Sequence, residues 1–583
     1  TFFLTGTDEH GNKVVEAAER SGETVEAYVD RISRAFKETW PKLNITNDYF
    51  VRTTDRNHKD TVSKILSKVY AKGDIYFSDY EGKYCVGCER FYTDTELVQG
   101  KCPIHMSEPR LIKEENYFFR MSNYQDWLID YIDKHPDFIR PERYRNEVTA
   151  FLREPLEDLC ISRPRKRLSW GIPLPFDDNY VTYVWFDALI NYISALGYPD
   201  GERFKKFWRV AQHIIAKDIL KPHGIYWPCM LKAAGIEPYQ HLNVHGYWNV
   251  DAGKMSKSLG NIVKPLDLAG KYGLDALRYF LLRDMVFGRD SDFSEESLVR
   301  RLNADLANDF GNLVSRSMTM AIKYFDGLLP APGPYEEADM SLKEAALKAI
   351  EDYKGMMKEF SLNRALVAVW ELIGRTNRYI DTMKPWAIAK SNRGRLGTVL
   401  NTITEVIRTV SVLVWPFMPQ TAEKIQYQLG LGAVGMELPL DSLKAGGKTR
   451  QVRPISKAPP LFPRVNLEKD EMVEEKLGLV SPADFQRLEL RVGVIEKAEP
   501  IPGSKKLLKL TVDIGEERTI VAGLAAHYRM DELRGKHVVV LANLRPVKLV
   551  GVESQGMILA AEDEGGIHLL IPDTESKPGG IVR

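Results

Sequence analysis

The order of apolar and polar positions divides the first half of the chain into stretches of different character. Residues 24–72 show helical periodicity around one strand-like run, and short strands and turns replace it over residues 73–175. A strand is then predicted at residues 180–185 and a helix at residues 188–196, with further buried strands after them. Alternating strands and helices are typical of a parallel α/β sheet. We therefore predict a Rossmann-type α/β domain that carries an insertion.

The second half changes pattern twice. From residue 265 to 428 apolar positions recur at helical spacing, apart from a Pro/Gly-rich loop at residues 327–335, which predicts a helix bundle. Residues 432–482 have little periodicity and are typical of a linker. Short β-branched runs separated by turns then predict a small all-β barrel. The expected fold class is therefore multidomain, with α/β, all-α and all-β parts.

The predicted boundaries follow these changes, since 583 residues are too many for one core. They are residues 1–72 and 176–253 for the two parts of the Rossmann domain, 73–175 for the insertion, 254–300 for a basic loop and the region after it, 301–431 for the bundle, 432–482 for the linker and 483–583 for the barrel.

Composition excludes several classes of protein. Lys and Arg number 80 and Asp and Glu 80, so no overall positive field attracts nucleic acid, and RNA binding would need local patches. We find no apolar run long enough for a membrane span and expect no membrane association. Five cysteines do not make a disulfide framework in a chain of this length, so we expect a reducing, cytoplasmic location.

Four of the potential metal ligands fall in two closely spaced pairs. Cys85 and Cys88 form the first, and thirteen residues separate it from Cys102 and His105, which form the second. Two short chelating turns with three thiolates and one imidazole suit a tetrahedral structural Zn²⁺. A disulfide is the alternative, but the cysteine usage argues against it. A closed site of four ligands would stabilise the insertion and would leave no position for catalysis.

A short basic run follows the second α/β part. Lys254 and Lys257 stand three residues apart, with Ser256 and Ser258 beside them, between glycines. Flexible ammonium groups in a mobile loop can follow the negative charge of a polyphosphate as it leaves. The simpler interpretation is a solvated basic turn, which an isolated pair of lysines would favour.

Taken in order, residues 5–11, the two ligand pairs, residues 184–189 and the basic loop resemble the methionyl-tRNA synthetases, within the class I aminoacyl-tRNA synthetases. The resemblance extends over essentially the whole chain. It implies activation of L-methionine by ATP, with Mg²⁺ accompanying the nucleotide, and transfer to tRNA(Met). It also implies an α/β catalytic domain with a zinc insertion, an anticodon-binding bundle and a C-terminal OB-fold that binds tRNA and forms a homodimer.

The resemblance also implies roles for individual residues. Lys254 and Lys257 would be catalytic and would bind ATP together with Ser256 and Ser258. The methionine pocket would be formed by Asp8, Trp185, Ala188, Tyr192, Ile219 and His223. By pattern alone, the two aromatic residues would be assigned to the core and His223 would be a structural histidine.

Candidates for tRNA binding lie in the bundle and in the barrel. Asn308, Asn312 and Arg316 are spaced at i, i+4 and i+8, which predicts one polar stripe on a helix, and the resemblance implies that they read the anticodon. It implies the same for Trp386, which pattern alone assigns to the core. The predicted barrel contains fourteen basic and fifteen acidic residues. Its basic side chains must therefore be concentrated on one face if it is to bind RNA. The basic candidates are Lys505, Lys506, Arg545 and Lys548, with Lys497 and Lys509 as further ones.

One departure from the family concerns the phosphate site. The family carries a His-x-Gly-His motif on its first strand-to-helix turn, and this sequence contains none. We expect that the sequence lacks an upstream segment that carries it, and that the chain without it is impaired. The alternative is a catalytically impaired tRNA-binding protein that keeps the bundle and the OB-fold. A cysteinyl enzyme is disfavoured because the metal ligands precede the pocket residues.

Overall fold

The computed structural model describes residues 1–85, 90–92, 97–103, 107–250, 253–254, 263–431, 440, 443, 454–456, 458–466, 485, 487–563 and 566–582. The chain folds into two compact units, Thr1–Val465 and Asn466–Arg583.

The α/β part of the first unit contains these helices among its described residues: α1 (Asn12–Ser21), α2 (Val25–Lys42), α3 (Arg56–Ala71), α4 (Gln125–Lys134), α5 (Glu142–Phe151), α6 (Val184–Ala188), α7 (Asn191–Ser194), α8 (Glu202–Phe207) and α9 (Trp227–Ala233). Its strands are β1 (Leu4–Thr7), β2 (Tyr49–Arg52), β3 (Ile75–Cys85), β4 (Arg90–Tyr92), β5 (Arg110–Phe119), β6 (Ile139–Arg140), β7 (Leu159–Cys160), β8 (Ser162–Pro164), β9 (Pro173–Leu174), β10 (Asp177–Thr182), β11 (Gln212–Ala216), β12 (His241–His245), β13 (Trp248–Val250), β14 (Gly253–Lys254) and β15 (Ser291–Phe293).

Parallel strands form the framework of this part. β1 pairs with β2 in parallel, and β12 lies between β11 and β6, both parallel to it. Buried side chains of the strands and of the surrounding helices merge into one core, in which Trp227, Phe138 and Tyr239 are among the largest residues. In open sheets of this kind, ligands bind beyond the carboxyl ends of the strands. Asp8 is the first residue after β1 and therefore lies at such an end.

The inserted region is built on a long hairpin. β3 and β5 pair antiparallel from Ile75 with Phe119 to Tyr84 with Arg110, and β4 and β7 extend the sheet on either side. Cys85 is the last residue of β3 and lies at the far end of this hairpin.

The helical part of the first unit follows, with α10 (Pro265–Tyr272), α11 (Leu274–Asp284), α12 (Glu295–Arg301), α13 (Asn312–Phe325), α14 (Glu337–Lys358), α15 (Leu362–Met383), α16 (Pro385–Ile388), α17 (Arg393–Val414) and α18 (Pro419–Gln428). Among the described residues only α17 is long and apolar enough to cross a membrane, judged by length and composition. The sequence prediction found no such stretch. Because 89% of the apolar stretch in α17 is buried inside the protein, we assign it to the core of the bundle.

Two predicted elements differ from the structure. The strand predicted at residues 180–185 ends at Thr182, and α6 begins at Val184 because Tyr183 has the extended backbone of a helix N-cap. The helix predicted at residues 188–196 is instead the end of α6 and the separate short α7. A continuous apolar run fits a buried strand and a buried helix equally well, so periodicity alone could not find this boundary.

The second unit is a barrel-like antiparallel sheet, as predicted. Its described elements are β16 (Leu490–Pro500), β17 (Leu508–Asp513), β18 (Glu517–Ala522), α19 (Met530–Leu533), β19 (His537–Leu541), β20 (Val547–Leu549), β21 (Val552–Ser554), β22 (Met557–Ile558), β23 (Ala560–Asp563), β24 (Gly566–Leu569) and β25 (Ile581–Val582). β16 is central, with β17 and β25 on one side and β19 on the other, over a core that includes Ile495, Leu510 and Val540.

A buried ion pair holds three helices of the bundle together. Asp339 of α14 has no exposed surface, and its carboxylate accepts hydrogen bonds from Arg395 Nη1 at 2.6 Å and Nη2 at 3.0 Å, and from the Tyr379 hydroxyl. We expect Asp339→Ala to lower the free energy of unfolding by about 3–5 kcal/mol, because the guanidinium of Arg395 loses its buried counter-charge and keeps only the exposed Glu336, at 3.1 Å from Nε. Denaturant titration followed by circular dichroism measures this loss.

Asp130→Ala is the matched control. Asp130 also pairs with a cation, Lys134 at 2.7 Å, but both side chains are more than half exposed. Its loss should cost less than about 1 kcal/mol. Equal losses in the two variants would contradict the assignment of Asp339 as a buried anchor.

Candidate active site

The loop after β1 is fixed from both sides. Glu9 is buried and accepts two hydrogen bonds from Arg52, at 2.7 Å to Nε and 2.9 Å to Nη2, while its backbone N–H donates to Thr53 Oγ1 at 2.9 Å. The indole of Trp170 donates to the Glu9 carbonyl at 2.6 Å. These contacts hold the loop in one conformation, with Asp8 as its solvent-accessible acidic residue.

Behind this loop, one carboxylate joins two imidazoles. Asp187 of α6 accepts a hydrogen bond from His10 Nδ1 at 2.6 Å and another from His58 Nε2 of α3 at 2.7 Å. All three side chains are buried. His58 Nδ1 in turn lies 2.9 Å from the hydroxyl of Ser194. The cluster therefore connects the end of β1 with α3, α6 and α7.

Asp8 is exposed to solvent, yet many protein atoms surround its carboxylate. This crowding is the main reason why the pKa of Asp8 rises to about 6. The charge of Asp187 raises the pKa further, while His58 and His10 lower it. At neutral pH, Asp8 is therefore an anion that a bound cation would stabilise.

Next to Asp8 lies a pocket of aromatic rings. The Tyr192 hydroxyl donates to His223 Nε2 at 2.9 Å, and His223 Nδ1 donates to the carbonyl of Ile219 at 3.0 Å. Burial lowers the pKa of His223 to about 4, so the ring is neutral and carries its proton on Nδ1. The ring of Trp185 lies edge-on to His223 at 6.3 Å between centroids. The pocket thus combines apolar surface with neutral polar groups.

The structure brings the six residues predicted for the methionine pocket together. Trp185, Ala188 and Tyr192 come from α6 and α7, Ile219 from a 3₁₀ turn and His223 from the π-helical segment Pro222–Tyr226. Burial and the charge of Asp8 both raise the pKa of Tyr192. The shared surroundings agree with the prediction of one site, whereas the role of each residue remains a prediction.

Several residues of this site were missed by the sequence prediction. His10 and Asp187 lie inside the blocks that carry the resemblance, so their positions were marked but their pairing was not. His58 and His213 stand outside every block. His213 stacks on Tyr192 at 3.8 Å between ring centroids, and the indole of Trp227 donates to its Nε2 at 3.2 Å. An isolated histidine in a helix or a strand carries no signal of such a role.

The structure describes only part of the basic loop and of the two pairs of predicted metal ligands. The backbone of Lys254 pairs with Asn249 in the β13–β14 hairpin, whereas its side chain, Ser256, Lys257 and Ser258 lie outside the described residues. Cys85 and Cys102 are both buried and pack in one cluster. Cys88 and His105 lie outside the described residues. The phosphate site and the zinc site therefore stay predictions.

The predicted polar stripe of the bundle begins on an irregular helix. Asn308 lies in the π-helical segment Leu302–Gly311, and the α-helix α13 begins only at Asn312. This corrects the assumption of one α-helix, since π-helical hydrogen bonds reach five residues instead of four. Asn308 and Asn312 are exposed and Arg316 is half-buried. Arg316 pairs with Asp381 at 2.9 Å, and Arg464 donates to the Asn308 side chain.

Trp386 is exposed, in contrast to the core position that pattern alone indicates. It lies in the short helix α16, which begins directly after Lys384. Lys384 has a left-handed backbone with φ of 47°. The side chain keeps 44% of its surface accessible. A large ring held open to solvent on a short, fixed helix is available for stacking.

Comparison with known proteins was made on the whole chain. Residues 1–110 and 96–318 match the family of class I tRNA synthetases (M), residues 329–478 the anticodon-binding domain of methionyl-tRNA ligase, and residues 490–580 a tRNA-binding domain. The methionine–tRNA ligase of Caldanaerobacter subterraneus is 45% identical over 100% of this chain and 93% of its own length. The chain belongs to the class I methionyl-tRNA synthetases.

A second curated relative and a solved structure agree with this assignment. The methionine–tRNA ligase of Thermotoga maritima is 42% identical over 100% of this chain and 93% of its own length. A crystal structure of the Mycobacterium tuberculosis methionyl-tRNA synthetase bound by methionyl-adenylate is 39% identical, with a TM-score of 0.74, over 79% of this chain and 92% of that one. The multidomain fold and the family predicted from the sequence are thereby confirmed.

The C-terminal unit of this methionyl-tRNA synthetase presents the predicted basic residues to solvent. Lys505 and Lys506 lie in the turn between β16 and β17, and Lys497 on β16 is also exposed. Arg545 and Lys548 are exposed around β20. Lys509 is half-buried and lies 3.5 Å from Glu499, so part of its charge is compensated.

The protonation state of His223 can be tested directly. We expect its ring to stay neutral with the proton on Nδ1 from pH 8 to about 5, because burial disfavours the charged form. An unfolded chain takes up this proton near pH 6.5, so His223 should reduce stability as the pH falls from there toward 4. Nitrogen-15 shifts of the imidazole measure the titration, and His223→Asn assigns the signal. A midpoint near 6.5 would contradict the neutral pocket.

Proposed function

We propose that this chain is a methionine–tRNA ligase that forms methionyl-adenylate from methionine and ATP and then esterifies tRNA(Met). The observation that carries this proposal is an accessible anion, Asp8, beside a neutral aromatic pocket at the end of a parallel strand. Relatives named as methionine–tRNA ligases match the chain along its whole length. A catalytically impaired tRNA-binding protein is the less favoured alternative, since relatives named as methionine–tRNA ligases are 42–45% identical and the described pocket keeps its bond between Tyr192 and His223.

The pocket fits methionine by charge and by surface. The carboxylate of Asp8 would hold the α-ammonium group, and the thioether would lie among Trp185, Tyr192, Ala188 and Ile219, since sulfur contacts aromatic rings favourably. His223 and Tyr192 bond each other and stay neutral, so they add a polar edge without charge. Side chains that differ by one methylene group would be separated by only about 1–3 kcal/mol.

For the phosphate chemistry we assign Lys254 and Lys257, assisted by Ser256 and Ser258. Two ammonium groups at this spacing would stabilise charge that develops on the α-phosphate and on the departing pyrophosphate. Mg²⁺ would enter with ATP, bound largely by the phosphates and water. Amino-acid recognition and phosphate stabilisation thus rest on separate segments of the chain.

We also propose a structural Zn²⁺ at the end of the β3–β5 hairpin, held by Cys85, Cys88, Cys102 and His105. The burial of Cys85 and Cys102 in one small cluster supports it, because a chelated thiolate is shielded from water. Within the described part of the chain, Leu97 is the apolar side chain that packs against these two cysteines. A metal would therefore supply the stability that a small core cannot.

For tRNA, we assign anticodon recognition to Asn308, Asn312, Arg316 and Trp386. The amides and the guanidinium can bond base edges of an unpaired loop, and the exposed indole can stack on one base. The bonds of Arg316 with Asp381 and of Asn308 with Arg464 are exposed, so an incoming base can replace them at low cost.

The C-terminal unit would act as an OB-fold tRNA-binding domain and as a dimer interface. Lys505, Lys506, Arg545 and Lys548 supply positive charge, while Val547, Leu549 and Val550 expose apolar surface on the β20–β21 hairpin. Lys548 alternates with Val547 and Leu549 along β20, so basic and apolar groups lie on opposite faces. A homodimer would cover the apolar face.

We place the protein in the cytoplasm, in agreement with its cysteine usage.

The enzymatic assignment is tested by pyrophosphate exchange with the whole gene product. We expect methionine-dependent exchange between ATP and pyrophosphate, and a loss of about 100-fold or more in Lys257→Ala, because one positioned charge at the reacting phosphate is removed.

Lys264→Ala provides the matched control, since Lys264 is an exposed lysine a few residues further along the chain. It should leave exchange unchanged. Exchange with a different amino acid and none with methionine would refute the substrate assignment, and full activity in Lys257→Ala would refute the role of the loop.

The anticodon assignment is tested with Trp386→Ala. We expect binding of tRNA(Met) to weaken by about 1–3 kcal/mol, which is typical of the loss of one base–aromatic stack. Tyr427→Ala is the control, because Tyr427 is an aromatic residue of the same unit with 65% of its surface exposed. Filter binding with tRNA(Met) gives both dissociation constants. Equal values for the two variants would remove Trp386 from the interface.

A further inference from the structure

Asp187 is an anion without a role in the function described so far. Its carboxylate is 1% exposed and accepts one N–H from each of two buried imidazoles, at 2.6 Å from His10 and 2.7 Å from His58. Burial alone would raise the pKa of Asp187, but the two imidazoles outweigh it, and the pKa lies below its usual value. Asp187 therefore stays charged inside the protein, with both oxygens occupied.

Asp187 is fixed to the loop that carries Asp8, because it accepts a hydrogen bond at 2.6 Å from His10 on that loop. The ionisable groups that face Asp8 come from each element around it: Asp187 on α6, His58 on α3, His10 and Glu9 on the loop after β1, and Tyr192 on α7. Glu9 is already paired with Arg52. Asp187 is the largest charged contribution among them. A negative charge close to Asp8 raises the affinity of its carboxylate for a proton. The same charge raises its affinity for any other cation bound at that position.

We propose that Asp187 is a positioning residue of the ammonium subsite, where its negative charge, held by His10 and His58, increases the affinity of Asp8 for the α-ammonium group of the substrate. This inference rests on the proposed role of Asp8 in methionine binding. Asp187 itself need not touch the substrate, since each of its oxygens already accepts a hydrogen bond.

The Ser194 hydroxyl can form a hydrogen bond with His58 whether or not the imidazole nitrogen next to it carries a proton. The Ser194 hydroxyl lies 2.9 Å from His58 Nδ1 and 3.3 Å from the carbonyl of Asn191. It can donate to a neutral ring, or accept from a charged one and donate to the carbonyl instead. The bond between His58 and Asp187 is therefore compatible with either role of the Ser194 hydroxyl.

The test separates an electrostatic role from a purely structural one. Binding of L-methionine and of 4-(methylthio)butanoate, which lacks the ammonium group, is measured by calorimetry on the full chain at pH 7.5. For Asp187→Asn we expect a dissociation constant for methionine that is higher by about fivefold or more, with that of the desamino compound unchanged. Equal weakening of both ligands would mean that Asp187 only supports the fold and would overturn the inference, as would unchanged binding of methionine.

Asp60→Asn is the matched control, because Asp60 lies on the same helix as His58 but is exposed. Asp8→Asn tests the underlying assignment separately, since it should also weaken methionine selectively. If Asp8→Asn affects both ligands equally, the proposed role of Asp8 fails. If Asp8→Asn is selective and Asp187→Asn is not, only the present inference fails.

His58→Gln keeps the proposal testable if Asp187→Asn does not fold. A glutamine amide can still donate to Asp187, but it cannot become charged. Methionine binding should weaken in the wild type as the pH falls through about 6, where Asp8 takes up a proton. Because His58 lowers the pKa of Asp8, its replacement should move this midpoint to higher pH. An unmoved midpoint would show that the cluster does not set the charge of Asp8 and would overturn the inference.

Discussion

The bridge from His10 through Asp187 to His58 is the constraint on which the catalytic end of the first unit depends. In sequence, Asp187 lies 177 residues after His10 and 129 residues after His58. The bridge fixes the end of β1 against α3 and α6. A buried carboxylate is stable only if both of its oxygens are satisfied, so each of the three segments must be in place. Trp185, Ala188 and Tyr192 lie within five residues of Asp187, and their positions therefore follow from this single junction.

In the proposed methionine pocket, electrostatics would separate a charged part of the substrate from a neutral part. Asp8 carries its charge where water still reaches it, whereas burial lowers the pKa of both His213 and His223 and raises that of Tyr192. A cationic side chain would thus meet neutral, desolvated groups, and an ammonium group would meet an anion. Such a division selects an amino acid whose own side chain is uncharged, before shape distinguishes among the remaining candidates.

The sequence predicted those parts of the site that lie in short continuous blocks. Asp8, Tyr192 and His223 were assigned in this way, and their roles stay predictions. The order of the domains followed from periodicity. His58 could not be found, because its partner Asp187 is remote in sequence and a single histidine in a helix carries no pattern. The boundary at Tyr183 was missed because the apolar run around it fits a strand and a helix equally well. The exposure of Trp386 depends on the left-handed backbone of Lys384, which no sequence periodicity encodes.

The two π-helical segments show why irregular helices persist at these sites. Pro222–Tyr226 carries His223, and Leu302–Gly311 carries Asn308. A π-helical turn is rare because its backbone hydrogen bonds are less favourable, so neighbouring side chains must compensate. Tyr239 donates to the His223 carbonyl at 2.7 Å, and in the bundle Trp370 and Asn377 donate to the carbonyls of Asp305 and Asp309. In both places a donor from another element supports the backbone that carries a side chain of a predicted site. The packing around each site therefore influences the direction in which that side chain points.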